Sequence, residues 1–307
     1  MPKIISLSRK GFDSAYGGAP SPIINNKIYS LPIPASETKK FNPKHSTKYK
    51  ELKFGNLSGS EILKRLYKTP LHSKKLPGNK KRNEITPESL CHHDPDLKTG
   101  IYGASGNAST QLKDFKEGDL LLFFGWFFDK DGEKRHIHHL FGWLQADYII
   151  KGSKNIQNFC DENEITHPHA DELFLKEETN ALYVSSGDAG DGESLGYGIF
   201  EDYHHELCLT HPLSKKRTTW QLNKNYFSEI KAPWKIFKKF IKEEHFKYNP
   251  DSKTNDPLIR DDKLTFKSPD LGQEILMDGD HPKVNAWARY LIKTYGKPGK
   301  QNNYIIL

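Results

Sequence analysis

A long aromatic hairpin constrains the fold of this chain more than any other stretch of its sequence. The polar turn Phe115–Asp119 leads into the apolar, aromatic run Leu120–Phe128, and Asp129–Gly132 has the residues of a tight hairpin turn. His138–Ile150 then returns as a second apolar strand. The sequence therefore predicts a buried antiparallel hairpin.

Shorter strands and amphipathic helices accompany this hairpin. Apolar residues recur at helical spacing in Trp234–Phe246 and in Pro282–Tyr295, which predicts two helices, while Ser58 and Glu61 have capping-box spacing ahead of a third. We expect an α+β fold with a mixed, mainly antiparallel β core, peripheral helices and a C-terminal helix. No boundary or repeat divides residues 1–307, which predicts one domain. Further strands are predicted at Ile4–Ile5, Lys27–Ile33, Ala181–Ser185, Gly196–Phe200, Leu207–Pro212 and Gly272–Met277, and a loop at Phe246–Leu264.

The composition narrows the classes of protein to which the chain can belong. Hydrophobic residues make up 35% and aromatic residues 12% of 307 residues, which is enough for a sizeable core and argues against disorder over most of the chain. The net charge of +7 permits contact with nucleic-acid phosphates, although a lysine-rich composition produces that charge without such a partner. No signal peptide or membrane span is recognisable, and three widely spaced cysteines predict reduced thiols in a cytoplasmic protein.

The glycine-rich segment after the first strand is one candidate site. Ser6–Ile23 combines glycines with charged and hydroxyl side chains, and such loops present charged groups to anionic ligands. An ordinary surface loop explains the same residues, because neither a Walker-type loop nor GxGxxG is present. The residues that we expect to bind substrate are Ser8, Arg9, Lys10, Gly17 and Gly18, with Asp13 as a candidate catalytic carboxylate.

The segment Cys91–Leu97 holds the densest cluster of potential ligands and acid–base groups. His93, Asp94 and Asp96 are candidate catalytic residues, since such groups serve a metal ion or a proton transfer. One short segment cannot close a metal site alone, and no spaced motif such as HExxH supports one, so no metal ligand or cofactor is assigned. Partners for a metal would come from His138, His139, His167, His169, His204 or His205, each of which is more commonly a surface or hydrogen-bonded residue.

Two later positions complete the candidate site. Gln273 and Glu274 stand at the start of the last predicted strand, as a substrate ligand and a catalytic carboxylate. Trp126 in the hairpin is a candidate for stacking on a base, together with Phe124, Phe141 and Trp143, although packing in the core of the hairpin is the favoured role for at least half of these rings.

These motifs, taken in order, resemble the nucleotide modification-associated domain 3 family of prokaryotic and phage proteins. The resemblance implies a role in making, reading or processing modified nucleotides, with nucleic acid or nucleotides and proteins of modification or restriction systems as partners. The hairpin also looks like the core of PUA-like barrels, including ASCH and EVE domains, which grip RNA or an extruded base. The family resemblance is carried by Leu7–Ser14, Gly17–Gly18, Pro20–Pro22, Leu31–Pro34, His93–Leu97, Gly118–Trp126, Phe141–Gln145, Leu209–Pro212 and Gly272–Ile275.

Three functions remain open on the sequence. The first is an enzyme in which Arg9 or Lys10 holds phosphate, Asp13 or Glu274 is a general base, and His93 is an acid or a metal ligand. The second is a non-catalytic PUA-like reader of modified bases, and the third is a structural partner in a modification complex. The enzyme is favoured because carboxylates beside basic residues repel phosphate unless a metal ion or a proton intervenes.

Overall fold

The strands and helices of the protein are defined by a computed structural model. It describes residues 1–13, 16–35, 42–66, 85–129, 132, 134–187, 194–252, 256–268 and 274–306. Within these ranges the strands are β1 (Ile4–Arg9), β2 (Ser21–Ile24), β3 (Lys27–Ile28), β4 (Thr47–Lys48), β5 (Lys53–Phe54), β6 (Leu57–Ser58), β7 (Leu90–Cys91), β8 (Ile101–Ala104), β9 (Leu120–Asp129), β10 (His136–Gln145), β11 (Tyr148–Lys151), β12 (Ala181–Val184), β13 (Tyr197–Ile199), β14 (Thr219–Gln221), β15 (Thr265–Lys267), β16 (Ile275–Asp278) and β17 (Lys297–Pro298). The α-helices are α1 (Gly59–Leu66), α2 (Gly106–Gln111), α3 (Ser153–Glu162), α4 (Lys224–Phe227), α5 (Leu258–Asp261) and α6 (Pro282–Tyr295).

The predicted hairpin is the centre of the largest sheet. Its strand order is β16-β1-β9-β10-β13-β17, with β2 and β3 added beside β9. β9 and β10 pair antiparallel with a bulge between Leu140 and Gly142, whereas β1 and β2 run parallel to β9. This sheet curls into a half-barrel, which confirms the α+β class and the mainly antiparallel core.

Alternation along β1 divides its side chains between the two faces of the large sheet. Ile5 and Leu7 pack in the core formed with the apolar side of α6, while Ile4 belongs to the core on the opposite face. Ser6 and Ser8 share the face of Ile4, and Arg9 continues the face of Ile5 and Leu7. Neighbouring polar residues of β1 therefore reach different surroundings.

A smaller sheet with the order β11-β12-β8 covers the face of Ser6 and Ser8. Tyr102 and Tyr183 point from this sheet into the shared core, and Ile101 and Leu182 point away from it toward α3. β8 is the edge strand of the small sheet, and the chain at Asp96 pairs with Ile101 along that edge. This edge strand positions the candidate site described below.

Several predicted elements differ from the structure. The predicted helix Trp234–Phe246 is wrong: the chain forms two 3-10 turns, Pro233–Ile236 and Glu243–Phe246, around Phe240, which has a φ of 72°. Between the turns, Phe237 bridges to Met277 at the edge of the large sheet, so its apolar spacing serves an edge pairing.

Other boundaries shift. The predicted strand His138–Ile150 is two strands, because the chain leaves the large sheet after Gln145 and joins the small sheet as β11. The predicted opening loop begins only after Arg9, since Ser6–Arg9 belongs to β1, and the predicted loop Phe246–Leu264 contains α5. The closing helix and the capping box ahead of α1 are confirmed. Within the described residues, no helix has the length and apolar character needed to cross a membrane.

Candidate functional site

A buried carboxylate at the edge of β8 is the centre of the candidate site. Asp94 follows β7, and its side chain is only 5% exposed. Its Oδ1 accepts a hydrogen bond of 2.8 Å from the backbone N–H of Gly103 in β8. Two residues later, Asp96 exchanges backbone hydrogen bonds with Ile101, which keeps the segment alongside the strand. The edge of the small sheet therefore fixes the position of Asp94.

Three histidines surround this carboxylate. The Nε2 atoms of His92 and His169 lie 3.6 and 3.7 Å from Asp94 Oδ2, and the Nε2 of His167 lies 3.6 Å from Oδ1. His167 directly precedes the 3-10 turn Pro168–Ala170, and His169 lies within it. This turn packs against β8. These separations exceed the length of a hydrogen bond. We call Asp94 and its three histidines the histidine–aspartate cluster.

Hydrogen bonds behind the cluster fix the ring of His169. Its Nδ1 lies 2.7 Å from Asn180 Oδ1, and the amide nitrogen of Asn180 donates to the carbonyl of His169 and to Ser153 Oγ. Because that amide nitrogen faces a carbonyl, its oxygen must face the ring, so Nδ1 carries the ring proton. The Nε2 atom of His169 therefore presents a lone pair toward Asp94.

The ionisation of the cluster follows from burial and from these contacts. Burial by itself raises the pKa of Asp94, but the favourable interactions of its carboxylate with the nearby rings of His167, His92 and His169 outweigh that effect, so the pKa lies well below its usual value. Burial lowers the pKa of His169 to about 3, against the opposing effect of Asp94. At neutral pH the cluster therefore holds an ionised carboxylate beside a neutral imidazole.

A second polar cluster lies where β1, β16 and β8 approach one another. Glu274, which is 2% exposed, accepts hydrogen bonds from Ser6 Oγ (3.1 Å) and Ser8 Oγ (2.9 Å) and forms an ion pair with Lys10 Nζ at 3.2 Å. Lys10 also donates to the hydroxyl of Tyr102 at 2.7 Å. We call these five residues the glutamate network.

β8 joins the two clusters. Tyr102 belongs to the glutamate network, and the next residue, Gly103, donates its N–H to Asp94. Burial raises the pKa of Tyr102 well above its usual value, and the charges of Glu274 and Asp94 raise it further. The tyrosine is thus a neutral hydroxyl between two buried carboxylates.

The structure brings together some of the residues predicted from sequence and separates others. Ser8, Lys10 and Glu274 meet in the glutamate network, as one predicted site requires. Arg9 points to the other face of the large sheet, where it forms an ion pair with Asp13 at 3.2 Å. The alternation of β1 therefore separates Arg9 and Asp13 from the other candidates.

The remaining residues of the Cys91–Leu97 segment differ in role. Asp96 closes the turn before β8, because its carboxylate accepts from the backbone N–H of Lys98 (3.0 Å) and from the hydroxyl of Thr99 (2.8 Å). His93 lies close enough to Asp96 and His167 for their charges to act on it, and burial lowers its pKa. Asp96 is therefore a structural residue of the turn in this arrangement.

The glycines and the tryptophan proposed as ligand contacts are engaged within the protein. Gly17 has a φ of 81°, and a Cβ there would lie 2.5 Å from the ring of Phe12, so it permits a tight turn. Gly18 donates its N–H to the carbonyl of Asp13 within that turn. Trp126 donates to His136 Nδ1 at 3.0 Å, and the guanidinium of Arg217 lies 4.4 Å from its ring centre. Gln273 lies outside the described residues.

The other aromatic rings suggested for stacking on a base lie in the core. Phe124, Phe141 and Trp143 are 3%, 8% and 1% exposed, and Trp143 Nε1 donates to the carbonyl of Leu195. A base can reach these rings only if the core opens. Their arrangement fits the packing of a hydrophobic core.

Sequence reasoning did not assign five residues of the site, which are Ser6, His92, Tyr102, His167 and His169. His167 and His169 appear among six potential partners without a reason to prefer them, although the sequence His-Pro-His places two imidazoles around one tight turn. Tyr102 occupies an ordinary apolar position of a strand, and nothing in the sequence marks it. Its role depends on a contact with Lys10 that only the tertiary structure creates.

Comparison with known proteins connects this arrangement with one family. A family model described as "nucleotide modification associated domain 3" matches residues 3–254. The matched range includes Lys10, the strand β8 and the whole histidine–aspartate cluster, while Glu274 lies beyond it. Neither the curated proteins nor the solved structures gave a match to the chain.

Proposed function

The chain belongs to the nucleotide modification associated domain 3 family, and on that premise we propose that it is an enzyme acting on a nucleotide or on a base in nucleic acid. One observation carries the proposal. Two buried clusters of ionisable side chains meet at consecutive residues of β8, where Tyr102 contacts Glu274 and Gly103 binds Asp94. Such concentrations of buried ionisable groups are typical of catalytic sites.

The energetics of the glutamate network favour a functional role. Lys10 and Glu274 form an ion pair with side chains 16% and 3% exposed, and removing such charges from water costs several kcal/mol per ion before their attraction is counted. Apolar side chains of similar volume give a protein equal or greater stability at such positions. Stability alone therefore does not explain why Glu274, Lys10 and two serine hydroxyls converge here.

The two clusters have complementary chemistry in the proposed reaction. Lys10, in the loop after β1, places a positive charge in the glutamate network. Its partial exposure allows an anionic substrate to reach it. Glu274 accepts or returns a proton through its contacts with Lys10 and Tyr102. Asp94 and its histidines hold the reacting group on the other side of β8.

Isosteric substitutions test the enzyme proposal. The purified chain and its Glu274→Gln and Asp94→Asn variants are incubated with ribonucleoside and deoxyribonucleoside triphosphates and with DNA and RNA oligonucleotides. Mass changes are followed by liquid chromatography and mass spectrometry. We expect turnover of at least one substrate by the wild type, and losses of about 100-fold or more in both variants, because each removes a proton-transfer or charge-stabilising group.

Asp96→Asn is the matched control, since this buried aspartate lies in the same segment: the side-chain oxygen of asparagine still accepts from the Lys98 N–H, and its amide nitrogen donates to the Thr99 hydroxyl instead of accepting from it. It is expected to retain wild-type turnover. The enzyme proposal fails when the wild type changes none of the substrates, or when Glu274→Gln and Asp94→Asn both turn over at the wild-type rate.

A reader of modified bases is the second candidate, and the stack of Arg217 on Trp126 supports it. A guanidinium over an indole ring at 4.4 Å forms a flat cationic surface of the kind that stacks on unpaired bases. If the protein is a reader, Arg217→Ala weakens binding of a fluorescent single-stranded oligonucleotide by about tenfold, the equivalent of one stacked base. Glu274→Gln and Asp94→Asn then leave that binding unchanged.

A further inference from the structure

We infer that His92, Asp94 and His169 form a binding site for one divalent transition-metal ion. The three donor atoms are His92 Nε2, His169 Nε2 and Asp94 Oδ2, and they lie within 4.8 Å of one another. The inference names a cofactor for the site of the proposed function. Metal binding is measured without a substrate, so either proposal can fail while the other stands.

The distances between the donor atoms fit a shared ion better than direct hydrogen bonds. Both imidazole nitrogens lie 3.6–3.7 Å from the same carboxylate oxygen. Ligands bound at about 2.0–2.2 Å around a tetrahedral ion are separated by about 3.3–3.6 Å, whereas N–H···O hydrogen bonds are about 2.9 Å long. Each ring is thus held from the carboxylate at the separation that a shared metal ion requires, and all three donor atoms lie within 4.8 Å of one another.

The protonation of the donor atoms fits metal binding as well. Asn180 accepts the Nδ1 proton of His169, which leaves Nε2 with the lone pair that a metal takes. The Gly103 N–H occupies Asp94 Oδ1 and leaves Oδ2 for the ion. Hydrogen bonds of this kind, made by groups that lie behind the ligands, orient the ligands of metal sites.

His167 is a positioning residue that supports the carboxylate of Asp94. The side chain is fully buried, and its Nε2 has no hydrogen-bond partner within the part of the chain that the structure describes. Its Nδ1 accepts the backbone N–H of His169 at 3.3 Å, so the ring proton is on Nε2 and points to Asp94 Oδ1. A small rotation of Asp94 onto a metal ion brings that oxygen within reach of the proton.

The donor set selects the class of metal. Imidazole nitrogens suit zinc, iron, copper and nickel, whereas magnesium and calcium prefer oxygen ligands throughout. Among these ions, the two carboxylate–imidazole separations fit the tetrahedral geometry of zinc, which favours zinc. Three protein ligands also leave at least one position open for water or substrate, which is the arrangement of catalytic zinc sites. His92, with 18% of its side chain exposed, lies on the solvent side of the site.

The test measures metal content directly. The full chain is stripped with a chelator, dialysed against zinc or cobalt, and analysed by inductively coupled plasma mass spectrometry. We expect about one equivalent of metal in the wild type and less than about a tenth of that in His92→Ala and Asp94→Asn. His205→Ala, at a histidine whose side chain is 78% exposed, is the matched control and keeps one equivalent. His167→Gln keeps the stoichiometry but loses about 10- to 100-fold in affinity, as positioning residues of metal sites do.

Thermal unfolding keeps the test decisive if a variant is poorly folded. Zinc at 100 times its dissociation constant stabilises the wild type by about 2.7 kcal/mol, and folded variants without the site show no rise in unfolding temperature. The visible absorption of the cobalt form reports the coordination number independently. The inference is overturned when the reconstituted wild type holds no stoichiometric metal, or when His92→Ala and Asp94→Asn bind as much as His205→Ala.

Discussion

At the scale of single residues, the backbone of Gly103 lies close against the imidazole ring of His169. A Cβ on Gly103 would lie 2.3 Å from the imidazole ring, which is stacked on Phe174 at 4.5 Å and held by Asn180. The ring has little freedom to move away, because both of its sides are engaged. Glycine at position 103 is thus a packing requirement of the histidine–aspartate cluster.

We therefore expect Gly103→Ala to destabilise the protein by about 1–3 kcal/mol, the usual cost of overpacking a core, and to weaken metal binding at His169. Urea unfolding measures the first effect and zinc titration the second. Ser105→Ala is the control two residues along the chain, because Ser105 makes no side-chain capping bond, and it should change stability by less than about 0.5 kcal/mol. Equal stability of the two variants would show that the ring moves aside freely.

The chemistry of the candidate site could be predicted from the sequence only where its residues lie close together along the chain. Asp94 stands out because histidines and carboxylates crowd the segment Cys91–Leu97, and it is the centre of the structural cluster. Asp96 stands in the same segment and closes a turn, a difference that depends on the hydrogen-bond donors of Lys98 and Thr99. His169 reaches Asp94 only because a distant 3-10 turn packs on β8, which no local pattern encodes.

At the scale of elements, the spacing of apolar residues predicted a strand or a helix correctly where that element packs one continuous apolar side against the core. The hairpin β9–β10 and the helix α6 each pack a continuous apolar side, and both were predicted. Trp234–Phe246 has helical spacing but pairs with β16 through Phe237, so the tertiary contact overrides the local preference. The spacing of apolar residues did not distinguish these two outcomes.

Substitutions in the hairpin test how much a single buried aromatic ring contributes to the free energy of unfolding. Trp143 in β10 is 1% exposed, packs on Phe200, and leaves no room for a Cβ at Gly198 or Gly296. We expect Trp143→Ala to cost about 3–5 kcal/mol in the free energy of unfolding, since it leaves a cavity and an unpaired carbonyl at Leu195. Phe128→Ala, at a half-buried position of the same hairpin, should cost less than half as much in the same denaturation experiment. Similar losses in the two variants would contradict a core centred on β10.

At the scale of the whole molecule, the large sheet brings together strands from distant parts of the sequence. β1 pairs with β16, and β13 pairs with β17 close to the C-terminal end of the chain. These pairings agree with the expectation of a single domain over residues 1–307, which remains a prediction. Such long-range pairings also explain why the sequence predicted the fold class but not which polar loops meet.

Acid sensitivity is a property of the whole fold, because buried histidines must remain neutral in it. Burial lowers the pKa of His139 to about 4, although its ring nitrogens face the carbonyls of Leu140 and His204, and burial likewise lowers the pKa of His136 to about 4. An unfolded histidine has a pKa near 6.5, so between about pH 6.5 and 4 the unfolded chain binds more protons than the folded one. Stability is therefore complete above about pH 6.5 and is lost as the pH falls toward 4.

Replacing His139 tests this linkage, because each extra proton bound by the unfolded chain contributes a slope of about 1.4 kcal/mol per pH unit. We expect the free energy of unfolding, measured in urea between pH 7.5 and 4.5, to fall less steeply in His139→Gln than in the wild type by up to that amount. His205→Gln, at an exposed histidine, should keep the wild-type slope. The comparison rests on slopes, so a uniform loss of stability in His139→Gln does not affect it. Parallel curves for His139→Gln and the wild type would mean that His139 binds its proton as well in the folded protein as in the unfolded chain. Other groups would then cause the acid sensitivity of the protein.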